Sequence, residues 1–366
     1  DMGTSLNRFD ALRLAFASMV FVYHAVALSG LYADMPLERA MALLAELSIQ
    51  GFFIISGALV YGSWERSRGL ADYASKRARR LYPAYAVVIL VPTMVSALMT
   101  FGTPGAWQEI AAYLGANLVF LNFLEPSLPG LFEGQRHTEV NGALWTLKIE
   151  VMFYLVVPFL AWGLSKMSRY WWIGIGALAL GSLIWREAAL ALDHPLSEQL
   201  ARQLPGQMIY FAAGMAMWKL WQTARAKAGV LFVIGSVVLT AALLVPQLDM
   251  LRALGLFGII AGIAFVRGPE LNAARWGDVS YGVYIVHFPI VQALVGFGLF
   301  DALGLAGGMA MSAAIVFPIS YLLWWWVEKP ALRRDSHYRK VSEERTEEWP
   351  RTTPSNWTPP ETALRS

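Results

Sequence analysis

Cysteine is absent from all 366 residues, so disulfides, thiolate metal sites and cysteine nucleophiles are excluded, and no metal is expected. Charge is also scarce. Only 15% of residues are Asp, Glu, Lys or Arg, against about 25% in an ordinary soluble chain. The net charge of +3 gives no basis for nucleic-acid binding. No internal repeat is evident, which weakens a transporter reading built on repeated halves. The first apolar stretch carries Arg13 near its start and His24 near its middle. It therefore reads as a functional helix and not as the apolar core of a signal peptide.

What is plentiful is apolar surface. Hydrophobic residues make up 57% of the chain, with 15 Trp and 14 Tyr, rings that collect at membrane interfaces. Stretches of about 20 mostly apolar residues fall near 12–30, 40–62, 82–101, 143–162, 169–186, 203–222, 229–246, 250–266, 280–300 and 304–327. The expected fold is all-α, a polytopic integral membrane bundle of about ten transmembrane helices. Residues 1–334 form the transmembrane domain, and 335–366 a polar, disordered cytoplasmic tail. A sequon match at Asn356 falls in that tail and reads as accidental. Segment 107–121 is shorter and more polar, and reads as interfacial or re-entrant.

Cation placement gives the orientation. With ten spans and both termini inside, the inner loops hold Arg66, Arg68, Lys76, Arg77, Arg79, Arg80, Lys166, Arg169, Lys219, Arg225, Lys227, Arg267 and Arg275. The outer loops and their edges hold Arg39, Arg136, Arg186, Arg202 and Arg252. One miscounted helix would scramble this asymmetry. The longest outer loop, 102–142, has the length and composition of a functional loop.

Ionisable groups inside a bilayer are costly and need a reason. Arg13 and His24 lie eleven residues apart, which on a helix leaves them about 20° from eclipsed and about 16 Å apart along the axis. One polar stripe would then run from the inner edge to mid-membrane. Two readings stay open on the residues alone: Arg13 snorkels and His24 bonds a neighbouring helix, or the imidazole acts as a general base. The basic run Lys76, Arg77, Arg79 and Arg80 would suit the phosphates of an anionic acyl donor, but also positive-inside topology and anionic lipid. Glu150, near the start of an apolar span, could orient an imidazole, pair with an arginine or bind an acceptor hydroxyl. His287, two residues before Pro289, sits where the proline frees a helix carbonyl. It reads as a cavity-lining residue or as one that satisfies backbone. Ser56 and Gly57 suit close helix packing.

These residues together resemble the membrane acyltransferase-3 family. Arg8 to Arg13 match its opening, and Arg13 with His24 form its Arg-x10-His pattern. GFFIISGALV (51–60), KRARRLYPAY (76–85), NGALWTLKIEVMFYLVVP (141–158) and SYGVYIVHFPI (280–290) match later signatures in family order. The resemblance runs from about residue 8 to 334. It implies transfer of an acyl group, usually acetyl, from cytoplasmic acyl-CoA to a hydroxyl of a surface or exported glycan, with acyl-CoA as donor substrate and no permanently bound cofactor. Glycan or lipid-linked saccharide and membrane lipid are the other expected partners. The implied location is the bacterial inner membrane.

By the same resemblance, His24 and Glu150 are catalytic, and Arg13, Lys76, Arg77 and Arg80 bind acyl-CoA. Ser56, Trp145, Tyr154, Tyr281, Tyr284 and His287 are expected at the acceptor site or cavity. Some members append an esterase-like domain; a stand-alone transmembrane domain is expected here. The rivals are a glycolipid or small-solute transporter or flippase, and an acyltransferase using succinyl or a small-molecule acceptor.

Overall fold

The structure, a computed structural model, describes residues 8–266 and 277–333. The predicted tail, the sequon, Arg267 and Arg275 lie outside the described residues. The chain forms α1 (Phe9–Ser29), α2 (Pro36–Glu65), α3 (Leu70–Met99), α4 (Ala106–Asn117), α5 (Trp145–Lys166), α6 (Trp171–Leu190) and α7 (Ser197–Ala201). It continues through α8 (Leu204–Lys219), α9 (Trp221–Ala226), α10 (Ala228–Leu244), α11 (Arg252–Phe265), α12 (Val279–Gly296) and α13 (Leu299–Leu323). No strand occurs among the described residues. Every one of the ten predicted spans coincides with a helix. Eight are long and apolar enough to cross a membrane, α11 only together with the helical turn before it (Pro246–Phe265), while α8 and α10 are shorter, at 16 and 17 residues. Segment 107–121 contains the 12-residue α4, about 18 Å long and too short to span.

The outer surface is apolar, as a lipid-facing surface must be: Phe159, Val233, Leu244 and Trp326 all stand out from the bundle. Within it, burial divides into two clusters. One joins α1, α3, α4, α12 and α13 around Val20, Tyr85, Tyr113, Ile285 and Val316. The other joins α2, α5, α8 and α11 around Ile54, Phe153, Phe211 and Ile260. Close approach of α2 to α8 needs glycine on both sides. A Cβ on Gly57 would lie 2.3 Å from the Phe211 carbonyl oxygen, and one on Gly214 would lie 2.0 Å from that of Ile54. The sequence reading of Gly57 as a packing residue is explained by this contact.

The basic run was read as a loop, and the structure corrects this. Lys76 to Arg80 belong to α3, which runs unbroken from Leu70 through Pro83. Successive residues on a helix point about 100° apart, so the cations are splayed and not gathered into one cradle. Lys76 turns back to Asp72 at 2.7 Å. Arg79 donates to the Ala331 carbonyl at 3.3 Å. Arg80 turns into the bundle.

Pro289 lies inside α12 and leaves the Ile285 carbonyl without its helical donor. Asn141 fills the gap, its Nδ2 donating to that carbonyl at 2.7 Å while its Oδ1 accepts from Ala143 N at 3.2 Å. Asn141 thereby ties the start of α5 to the middle of α12. Replacing it with the isosteric Leu strands a buried carbonyl, and should lower stability by about 1–3 kcal/mol, readable as earlier thermal unfolding in detergent.

Candidate active site

Helices α1, α2, α5 and α12 line a cavity between the two clusters. It is walled by Arg13, Phe52, Phe53, Ser56, Thr146, Leu147, Glu150, Ser280, Tyr281 and Tyr284 together with Ile49. The polar groups among them thus face the cavity and not lipid.

The predicted stripe on α1 exists, and α12 is what it faces. Arg13 Nη1 donates to Asp278 Oδ2 at 2.9 Å. Further along the same face, His24 Nδ1 lies 2.8 Å from His287 Nε2. Both contacts advance in the same chain direction, so α1 and α12 run parallel.

Asp278 was not anticipated, yet it organises this end of the site. Its side chain is 1% exposed. It accepts from Arg13, from Arg80 in a short contact, and from Ser280 Oγ at 2.6 Å. Arg80 also reaches Glu328 at 2.6 Å. Among the described residues, two guanidinium groups thus share ion pairs with two carboxylates. A π-helical turn, Trp324–Glu328, delivers Glu328. Gly277, at φ 103°, lets the backbone press against the Trp324 indole, where a Cβ would come within 2.5 Å. Asp10 is buried nearby with neither carboxyl oxygen hydrogen-bonded. The rule that flagged Arg13 could have found Asp278 and Glu328, since both stand at the ends of apolar runs.

Arg77 behaves differently from its neighbours. It lies over the Tyr154 ring at 5.8 Å, its Nε has no hydrogen-bond partner, and none of the ion pairs among the described residues includes it. Tyr154 donates to Glu150 Oε1 at 2.5 Å, and Ser56 to the same oxygen at 3.2 Å. Glu150 therefore sits in the cavity wall, and its hydrogen bonds are to these two hydroxyls and not to an imidazole or an arginine. Trp145 is half-buried at the head of α5. Tyr281 donates to the Leu81 carbonyl at 2.9 Å. Tyr284 shares a 2.6 Å hydrogen bond with Thr146.

Phe52 and Tyr284 both line the cavity, with their rings 5.5 Å apart. Beyond them lies the imidazole pair, with Tyr284 at 6.1 Å from the His287 ring. His287 is fully buried and His24 half-buried. On the other side Phe288 caps His24 at 5.0 Å. The loop that leads into α5 meets Phe288 at Gly142, close to Glu139, with His137 3.4 Å from Glu139. Gln292 holds this loop by donating to the His137 carbonyl at 2.5 Å.

The acyltransferase-domain family profile matches residues 6–328. The chain belongs to the acyltransferase-3 family. It is thus a membrane acyltransferase, and the cavity and imidazole pair lie within the matched region. It is 28% identical to an O-acetyl transferase of Shigella phage Sf6, over 90% of this chain and 97% of that one. It is 28% identical to Nodulation protein 10 of Rhizobium leguminosarum bv. viciae, over 89% and 93%. It is 27% identical to the exopolysaccharide production protein ExoZ of Rhizobium meliloti, over 77% and 88%. No solved structure matches the chain significantly.

Proposed function

We propose that this acyltransferase carries an acyl group, acetyl being the leading case, from cytoplasmic acyl-CoA to a hydroxyl of a surface or exported glycan. The observation that carries the reading is the half-buried His24 imidazole, set between a polar cavity on one side and an exposed polar loop on the other. The relatives named for O-acetyl transfer and exopolysaccharide production support the acetyl group and the glycan. The uneven split of cations between alternate loops supports a donor side that is cytoplasmic, with both termini there, and the family resemblance supports the bacterial inner membrane as the location.

In this reading the donor enters from the Arg77 end. Arg77 meets its phosphates, because its charge is not committed to an internal ion pair, whereas Arg80 is held by Asp278 and Glu328. Arg13 lines the cavity beside the donor's arm while anchored by Asp278. Glu150, with Ser56 and Tyr154, positions amide and hydroxyl groups of that arm. His24 receives the proton of the acceptor hydroxyl as its oxygen attacks the thioester carbonyl. The departing thiolate takes that proton back as the C–S bond breaks.

The test is transfer of isotopically labelled acetyl from acetyl-CoA to glycan by the protein in proteoliposomes, with mass spectrometry of the product. Labelled ester on the glycan supports the reading. Glycan that stays unlabelled in the presence of native protein overturns it. Within the same assay, Arg77→Ala should raise the KM for acetyl-CoA by about 10- to 100-fold, the range of a lost charge-assisted hydrogen bond, with kcat little changed. Lys76→Ala should leave that KM nearly unaltered, since Lys76 is directed to Asp72.

A further inference from the structure

We propose that His287 is a positioning residue that fixes His24 in the one tautomer able to accept a proton from the acceptor. This rests on the reading of His24 as the base. The geometry settles the proton positions step by step. The Val283 carbonyl can only accept, and it lies 2.9 Å from His287 Nδ1, so that nitrogen carries hydrogen. A neutral imidazole has one donor and one acceptor nitrogen, which leaves His287 Nε2 bare. His24 Nδ1 lies 2.8 Å from it and must donate. His24 Nε2 is therefore the unprotonated nitrogen. No described residue hydrogen-bonds to it.

The packing holds this relay in place. The two rings stack at 5.0 Å and 25°. Phe288 stands edge-on to His24 at 5.0 Å, and Phe21 stands edge-on to His287 at 6.1 Å. His287 is 0% exposed, so water does not compete for its Nε2.

In the familiar three-residue arrangement a carboxylate orients the histidine. Here Glu150 bonds Ser56 and Tyr154, Asp278 bonds the arginines, and Glu139 pairs with His137. A neutral ring tied to a helix carbonyl does the same task without placing an anion at mid-membrane, where its burial would be costly. During transfer the acceptor's O–H proton moves to His24 Nε2 as the new C–O bond forms. The Nδ1–H bond to His287 then becomes charge-assisted and stronger. The proton leaves on the thiolate as the C–S bond breaks, and both rings return to their starting tautomers.

The experiment compares His287→Gln with His287→Met in the full chain in proteoliposomes. The two side chains have nearly the same size, but only glutamine offers an oxygen to accept from His24. The Met variant should lose about 10- to 100-fold in kcat, the usual effect of removing a group that orients a functional histidine, with the KM for acetyl-CoA unchanged. The Gln variant should recover most of that loss.

A second readout needs no substrate. Carbethoxylation of His24 by diethylpyrocarbonate, followed by mass spectrometry, should be slowed in the Met variant and near native in the Gln variant. Labelling indifferent to residue 287, or equal loss of kcat in both variants at native thermal stability, overturns the proposal. Labelling that depends on His287 supports it even where acetyl-CoA proves the wrong donor, so the two readings fail separately.

Discussion

Replacing His24 with alanine is expected to lower kcat by about 10²- to 10⁴-fold, the usual contribution of a positioned general base. The protein should still fold. His24 is only half-buried, and its side chain bonds His287 and the Val20 backbone without an ion pair, so the stability cost is small beside that of the buried ion pairs. Donor binding should also survive, because His24 is not among the residues that wall the cavity. The sharper comparison is His24→Gln. Glutamine keeps a polar group facing His287 but offers no basic nitrogen, so it should be as inactive as alanine while melting near the native temperature. Kinetics of labelled acetyl transfer, with thermal unfolding on the same samples, decide the matter. Retained turnover in either variant removes His24 from the chemistry.

How much of this was legible in the sequence depends on the range of the interactions. Helical segments are local, and apolar run length placed them. The shared face of Arg13 and His24 follows from helical periodicity, and both indeed meet α12. The carbonyl freed by Pro289 was likewise a local inference, although its partner, Asn141, lies 144 residues away.

Pairings of that range were not legible. Asp278 finds Arg13 across 265 residues and Arg80 across 198, and His287 finds His24 across 263. No periodicity encodes such contacts; they arise from the packing of α1, α3 and α12. The basic run was misread for a related reason. Four cations followed shortly by a proline look like a loop, yet tertiary packing carries α3 through Pro83, and its turn disperses the charges onto different neighbours. A shared phosphate cradle was therefore the natural expectation from composition, and what the helix leaves is Arg77 and Arg79 outside any ion pair among the described residues, Arg79 bonding a backbone carbonyl.

Asp278→Asn is expected to destabilise the protein by about 3–5 kcal/mol, the range for breaking a buried pair by removing one partner. Asparagine keeps the shape but removes the carboxylate that Arg13 and Arg80 share, so two buried guanidinium groups lose a common anion. The signature would be a large fall in the thermal unfolding temperature in detergent, reduced again when Arg13→Gln is added, because the double variant restores neutrality and neighbouring residues couple. An Asp278→Asn protein as stable as the native one would contradict the ion-pair account.

The double variant also separates two duties that Arg13 holds at once. As the partner of Asp278 it is structural; as part of the cavity wall it would face the proposed donor. Compensation should return the stability but not the affinity for acetyl-CoA, so the KM should stay raised after the fold has recovered. Were both to recover together, Arg13 would serve the fold alone, and donor recognition would pass to Arg77.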